Sequence, residues 1–473
     1  MRASTRAVRE ATPGCKRALD VIWLALALFF VIAFPIDVSR SVADFPAFYC
    51  AGAAVNAHEN PYLEVPLGPC EWSKSHDTIY LHRFIVPAPL PPYALALYAV
   101  AANFDYHVVY RLHIAFSLLA LGAAAYCLSS LCRFPAVAIF ALEILSAYET
   151  ILNGQPVAFL LCAVVLCGWA LHARRPRIAG ALAAAMMFEP HLGLPLCAAV
   201  LLFSRRSRIV LATCATALLI VSLATLPLSQ SILYLRDVLP AQAMSEAHFT
   251  PQFSLTLLLT TLGIETHPAI VLATLQYVVT AALGIVAAGR ARPSIGNASI
   301  AFVPVAFALL GGTYIHFTQF LLALPAALLF TKYFKLQLTV SCVLLALTFD
   351  ESGWNRSIDT SLVTAFAVFT WLAIAIVTCG LRRVRRSSPA SCRFPKCSRR
   401  MSRSPPPGVV WRRTASCMPR RSRKRPGASY SAAYPPTRGT PSYRKSVPGS
   451  HSGRSAGWPW RRGPTSPGSG VVS

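Results

Sequence analysis

Long apolar runs, separated by short polar or basic stretches, dominate the first 380 residues of the chain. A run of about 20 apolar residues is long enough for one helix to cross the hydrocarbon core of a bilayer. The pattern therefore predicts an all-α protein, a polytopic transmembrane helical bundle with about 10–12 membrane helices and outer-face loops. The apolar runs are residues 18–36, 107–130, 135–151, 156–172, 178–203, 209–228, 267–289, 297–312, 316–331, 336–349 and 359–380.

Composition agrees with a membrane protein. Of the 473 residues, 55% are hydrophobic and 13% are charged, whereas a soluble domain carries about 25% charged residues. The first run lacks a small-residue cleavage motif and is followed by many others, so we expect a retained helix rather than a signal peptide. Residues 18–380 are thus predicted to form one transmembrane domain, which excludes a soluble enzyme or binding module.

Positive charge is concentrated in the C-terminal tail, residues 381–473. The tail holds 22 of the 44 lysines and arginines and no acidic residue. Its Arg-, Ser-, Pro- and Gly-rich sequence buries too little apolar surface to offset the entropy of ordering, so we predict a basic, disordered cytoplasmic tail. One interpretation is a polybasic arm on anionic lipid or nucleic acid. We favour the other, a gene segment translated in the wrong reading frame, and expect no nucleic-acid partner.

The basic clusters predict the orientation of the helices. Five cations precede the first apolar run, and lysines and arginines flank membrane helices on the cytoplasmic side, so residues 1–17 are expected inside. Residues 37–106 then form an outer loop, in which Pro87–Ala102 is a short helix at the interface. With this topology every basic cluster lies inside: residues 174–177, 205–208, 290–292, 332–335 and 382–386.

The apolar run 178–203 cannot be a single crossing if both flanking clusters are cytoplasmic. Its centre, Phe188-Glu189-Pro190-His191-Leu192-Gly193, has the proline and glycine that a turn requires. Each arm has about a dozen residues at 1.5 Å rise, too short to cross, so we predict a hairpin of two short helices.

Several polar residues gather on the predicted outer face. They lie in the 37–106 loop, the Asn153-Gly154-Gln155 turn, the 229–266 loop, the junction before His316 and the stretch from Asp350 to Arg356.

Cys50 and Cys70 share the outer loop, and the cysteines show no metal-binding spacing. A disulfide between them would close a 21-residue stretch and stabilise it by about 3 kcal/mol.

The order of motifs along residues 18–330 resembles glycosyltransferase family 87. The first motif is Asp44-Phe45-x-x-Phe48-Tyr49-x-Ala51-Gly52-x-Ala54, followed by Asn60-Pro61-Tyr62. Pro91-Pro92-Tyr93-Ala94-Leu95 is similar to the family's Pro-Pro helix, and Gly154-Gln155 to its Gly-Gln turn. Ala179-Gly180-x-Leu182 leading to Glu189-Pro190 is similar to its Ala-Gly…Lys-Pro hairpin, with Glu189 in the place of the usual lysine.

This resemblance implies a GT-C-type membrane fold and a hexosyltransferase, in particular a mannosyltransferase. It further implies a polyprenyl-phosphate sugar donor, a lipid or glycan acceptor, and a site on the outer face of the plasma (inner) membrane, open to the periplasm or exterior. No cofactor and no metal are expected. A transporter or flippase of a lipid-linked substrate, and a catalytically inactive family member, remain alternatives.

Chemistry selects the candidate site residues. The acceptor hydroxyl must lose a proton as it attacks the anomeric carbon, which requires a carboxylate or a histidine. Asp44 and His316 are the predicted catalytic residues, although Asp44 could also cap a helix and His316 could simply bond a carbonyl. The departing phosphate needs cationic or polar contacts. The predicted substrate-binding residues are Arg83, Arg111, Gln155, Glu189, His191 and Arg356, where Arg111 is also explained by snorkelling at a helix end.

Overall fold

The structure, a computed structural model, describes residues 44–74, 88–132, 134–247 and 254–331. In these ranges the chain forms helices joined by turns, without a β-strand, so the predicted all-α class is confirmed. The N-terminus, the first apolar run, Arg83, Arg356 and the basic tail lie outside the described residues.

The α-helices are numbered in chain order among the described residues. They are α1 (Asp44–Asn56), α2 (Glu64–Lys74), α3 (Pro92–Ala101), α4 (Tyr106–Cys132), α5 (Ala136–Leu152), α6 (Val157–His172), α7 (Pro176–Ala185), α8 (Pro190–Phe203), α9 (Arg208–Thr225), α10 (Leu228–Leu233), α11 (Leu239–Glu246), α12 (Leu255–Thr261), α13 (Thr266–Ile295), α14 (Ser299–Ala308) and α15 (Leu324–Thr331). Shorter 3₁₀ turns are Met186–Phe188, Arg205–Ser207 and Phe317–Ala323, and Tyr234–Val238 is a π-helix.

Three helical segments in the described ranges are long and apolar enough to cross a membrane. They are α4, the continuous segment Arg205–Thr225, and α13. α4 begins and ends within two residues of the predicted run 107–130, because few polar residues interrupt its apolar sequence. Shorter apolar helices, among them α3, α6 and α14, pack around these three.

The predicted hairpin at residues 178–203 is present. Pro190 lacks an N–H and restricts the residue before it, so Glu189 has an extended backbone (φ −115°, ψ 96°) and the helix breaks there. The two ends of the segment meet at its base, where the Ser207 hydroxyl donates to the Pro176 carbonyl at 2.7 Å. Each arm is about 20 Å long, less than the thickness of the hydrocarbon core.

The described parts of the 229–266 segment, residues 229–247 and 254–266, are mostly helical, whereas the sequence predicted an outer loop. They contain α10, a π-helix, α11 and α12. These helices were missed because each is at most eight residues long, and Pro227 and Pro240 interrupt any long apolar run. The segment carries Glu246 to the centre of the candidate site.

α1 is fixed from two sides before it reaches that site. Gly52 lies against the Tyr98 carbonyl of α3 so closely that a β-carbon there would collide with it. On the other side Cys50 and Cys70 form the predicted disulfide, with their Cα atoms 5.7 Å apart. α1 therefore packs as a rigid unit on α3 and α2.

Candidate active site

The site begins with a side-chain bond between two of the motifs. The Gln155 amide donates to the Asp44 carboxylate, Nε2 to Oδ2, at 2.6 Å. Asp44 is the first described residue of α1, and Gln155 follows the turn after α5. Two residues far apart in the sequence are thus in direct contact, which joins the first motif to the Gly-Gln turn.

The turn before Gln155 has a specific backbone requirement. The Gln155 N–H donates to the Thr150 carbonyl at 3.0 Å and the Gly154 N–H to the Ile151 carbonyl at 3.1 Å, which is the Schellman ending of a helix. Gly154 has φ +78°, in the left-handed region that favours glycine. A β-carbon on Gly154 would collide with Phe45, the neighbour of Asp44. The glycine therefore lets the turn approach α1 closely enough for the amide to reach Asp44.

A short 3₁₀ segment, Phe317–Ala323, joins this pair to the hairpin tip. Thr318 Oγ1 donates to Gln155 Oε1 at 3.0 Å. Its neighbour Gln319 donates from Nε2 to Glu189 Oε2 at 2.8 Å. Adjacent residues of one segment therefore hold both Asp44, through Gln155, and Glu189.

Two tyrosines fix the backbone on either side of the hairpin tip. Tyr93, from the Pro-Pro-Tyr motif of α3, donates to the Met187 carbonyl at 2.6 Å. Tyr277 of α13 donates to the His191 carbonyl, also at 2.6 Å. His191 Nε2 lies 3.7 Å from Glu189 Oε2. The tip is thus held rigidly with its acid and its imidazole side by side.

A second acid and histidine complete the cluster. His316 Nε2 lies 4.0 Å from Glu246 Oε1, and the same Glu246 oxygen accepts from Gln242 Nε2 at 2.7 Å. The His316 side chain is 27% exposed and that of His191 31%. We call Asp44, Glu189, His191, Glu246 and His316 the acid–imidazole cluster. Both imidazole side chains are thus partly exposed, although the Nε2 atom of His191 is itself buried.

Burial changes the protonation of these groups. Burial raises the pKa of Asp44, while the bond from Gln155 opposes the rise. Burial raises the pKa of Glu189 to about 7, against the bond from Gln319. Burial, and then the charge of Asp44, raises the pKa of Glu246 to about 7. Burial lowers the pKa of His316, because it disfavours the charged imidazolium.

The structure brings together most of the predicted site residues that it describes. Asp44, Gln155, Glu189, His191 and His316 all lie in or beside the cluster. Arg111 is different: its side chain is exposed on α4, and in the described ranges no hydrogen bond or ion pair joins it to the cluster. Its role in binding substrate stays a prediction.

Sequence reasoning missed three residues of the site: Thr318, Gln319 and Glu246. Thr318 and Gln319 stand two and three positions after His316, so their closeness to a candidate residue was the available signal. Glu246 stood in a segment already placed on the outer face, but it was one acid among several. Nothing in the sequence pairs these residues with partners more than sixty positions away.

The fold and the cluster define a class: a helical membrane protein with a buried, partly open group of carboxylates and imidazoles. Residues 90–303 match the family model of glycosyltransferase family 87. The predicted resemblance is therefore confirmed, and it implies a membrane glycosyltransferase. The matched range contains Gln155, Glu189, His191 and Glu246, and begins after Asp44. No curated protein and no solved structure matches the chain.

Proposed function

We propose that the chain transfers a hexose, in particular mannose, from a polyprenyl-phosphate donor to a hydroxyl of a lipid or glycan acceptor. The reaction takes place at the outer face of the plasma (inner) membrane, facing the periplasm or exterior. One observation carries the proposal: Asp44 and Glu189, from distant parts of the chain, are held by the adjacent residues Thr318 and Gln319 in one partly open cluster.

Asp44 acts as the base in this proposal. The acceptor oxygen forms a bond to the anomeric carbon, the bond from that carbon to the phosphate oxygen breaks, and Asp44 takes the hydroxyl proton. A buried carboxylate suits this task because a raised pKa makes it a stronger base. The amide of Gln155 fixes the orientation of the carboxylate and favours its ionised form.

Glu189 acts as the acid toward the leaving phosphate. With a pKa of about 7 it carries a proton in a large share of molecules at neutral pH. A protonated carboxyl can donate to a phosphate oxygen, a task that a lysine also performs. Two carboxyl groups with different protonation states then take opposite roles, a known pattern in enzyme sites. Glu189 in place of the usual lysine is thus compatible with transfer.

The imidazoles complete the polar surface for substrate. The partly exposed side chain of His316 can donate to or accept from a phosphate or sugar oxygen, whereas the Nε2 atom of His191 is buried beside Glu189. His316 beside Glu246 offers a path by which the proton taken up at the site leaves it. Arg83, Arg111 and Arg356 remain predicted contacts for the donor phosphate.

A membrane assay tests the function directly. Vesicles containing the full chain are supplied with radiolabelled polyprenyl-phosphate mannose, and the label is followed into acceptor lipid or glycan. The proposal predicts transfer from this donor and none from nucleotide-activated mannose. No transfer from any polyprenyl-phosphate hexose, by protein that is folded and inserted, would contradict it.

One observation favours a transporter as the second candidate. Glu143 of α5 is fully buried, and neither of its carboxyl oxygens has a hydrogen-bond partner among the described residues. Acids placed in this way within the membrane are common in proton and substrate pathways. The same vesicles separate the two functions, because a transporter moves the labelled donor across the bilayer without transferring the sugar.

A further inference from the structure

The base of the hairpin brings two basic clusters together. Besides the bond from Ser207 to the Pro176 carbonyl, Gly180 of α7 lies against the Ser207 backbone, where a β-carbon would come within 2.8 Å of the carbonyl oxygen. This close packing places the arginines of residues 174–177 beside those of residues 205–208. They gather at one point only because the segment turns back.

A cavity of about 740 Å³ lies between the two clusters. Its lining is Arg175, Pro176, Arg177, Arg206, Ile209 and Val210. None of the three arginines forms an ion pair with an acid in the described ranges. The cavity therefore joins uncompensated positive charge to an apolar wall.

Other arginines at this end already have partners within the protein. Arg208 donates from Nε to the Leu201 carbonyl at 2.7 Å. Arg292 donates from Nε to Asn297 Oδ1 at 2.8 Å and reaches the Phe203 carbonyl. Arg175 packs over the ring of Trp169, 5.4 Å from its centroid, which sets its position at the cavity. Arg177 and Arg206 have no such bond among the described residues, so they are available to a ligand.

The apolar wall indicates which ligand fits. Ile209 is 77% exposed, and only 11% of the apolar window of Arg205–Thr225 is buried inside the protein. This helix is a candidate membrane span, so its exposed side faces lipid. A phosphate that arrives on a diacylglycerol can place its charge on the arginines and its apolar part against Ile209 and Val210.

We propose that the cavity binds the headgroup of an anionic phospholipid of the adjacent leaflet. Basic pockets at the ends of membrane helices attract such headgroups, with each nearby cation strengthening the attraction. The bound lipid would hold the base of the hairpin while the tip carries Glu189 about 20 Å away along the arms. It is therefore neither donor nor acceptor, and the proposal stands apart from the transfer reaction.

The test measures lipid binding to the purified full chain in detergent by native mass spectrometry. Phosphatidylglycerol should bind one per chain, and phosphatidylcholine should not. Replacing the two cavity arginines that have no bond among the described residues (Arg177→Gln with Arg206→Gln) should weaken phosphatidylglycerol binding about 25-fold, about fivefold for each charge removed. The matched control, Arg205→Gln with Arg290→Gln, removes the same charge at the same end and should change binding less than about threefold.

Three results would overturn the proposal. Equal binding of the two lipids would show that charge is not recognised. Equal weakening by the two double variants would show diffuse attraction rather than a site. Displacement of the lipid by millimolar inorganic phosphate would show a site for the anion alone. If the glutamine pair does not fold, Arg177→Lys with Arg206→Lys replaces it, and this pair should retain the preference for phosphatidylglycerol.

Discussion

Replacing Gly154 by alanine should uncouple the Gly-Gln turn from Asp44. The alanine must adopt φ +78° and place its β-carbon against Phe45. Phe45 cannot move aside easily, because it is 1% exposed and its ring packs against Tyr110, at 5.1 Å between centroids, and His113, at 5.2 Å. The turn must therefore withdraw, and the amide of Gln155 withdraws with it.

The free-energy cost of Gly154→Ala has two parts. Placing a β-carbon in the left-handed region costs about 1 kcal/mol. Forcing an extra methyl group into a packed site costs about 1–3 kcal/mol more. Gly154→Ala should thus lower the free energy of unfolding by about 2–4 kcal/mol, and it should also lower the rate of sugar transfer.

Gly263 provides a matched control. It ends α12 with the same pair of backbone bonds, the Gly263 N–H to Thr260 and the Ile264 N–H to Leu259. It has φ +87°, and a β-carbon there would meet nothing within 4 Å. Gly263→Ala should cost only the backbone part, about 1 kcal/mol, and leave transfer unchanged. Unfolding in detergent and transfer in vesicles measure both variants; equal losses in the two would refute the reasoning from Phe45.

Three other measurements test separate parts of the account. Glu189 and Glu246 bind protons more tightly in the folded protein than in the unfolded chain, so the free energy of unfolding should fall as pH rises from 4.5 to about 7. Glu189→Gln should remove the part of this fall that Glu189 causes, about 3 kcal/mol at most. A variant whose unfolding midpoints at pH 5 and at pH 8 both match those of the parent would contradict this. Mass spectrometry of non-reduced protein should find the Cys50–Cys70 bridge intact, and two free thiols would contradict it. Impermeant thiol reagents on intact cells should label a cysteine placed at exposed Ser73 and not one at exposed Ala173; the reverse pattern would invert the predicted topology.

The long apolar runs were sufficient to predict the helices that are long and apolar enough to cross a membrane. α4 and α13 extend the runs 107–130 and 267–289 by one to six residues at their ends, because a long, mainly apolar segment satisfies its backbone groups in a membrane as a helix. The hairpin was also predictable, since the two basic clusters and Pro190 together exclude a straight crossing. The short helices of residues 229–266 were not, because they lack a long apolar run.

The site was predictable only in part, for a different reason. Acids and histidines are recognisable one at a time, so Asp44 and His316 were candidates from their chemistry and position, and Glu189 from the resemblance of its hairpin motif. What joins them are neutral amide and hydroxyl groups, Gln319 and Thr318, whose partners are set by tertiary packing. A hydrogen bond between residues 130 or 163 positions apart produces no periodic pattern in a single sequence.

The central claim is that Asp44 takes the proton from the acceptor hydroxyl. Asp44→Asn tests it most directly, because the asparagine oxygen can still accept the bond from Gln155 and preserve the turn, while its amide cannot act as a base. The transfer rate from polyprenyl-phosphate mannose is measured for parent and variant at equal amounts of folded protein, checked by their unfolding midpoints. The account predicts normal folding and a loss of about two to four orders of magnitude in rate. A normally folded Asp44→Asn protein that transfers sugar at the parent rate would contradict it.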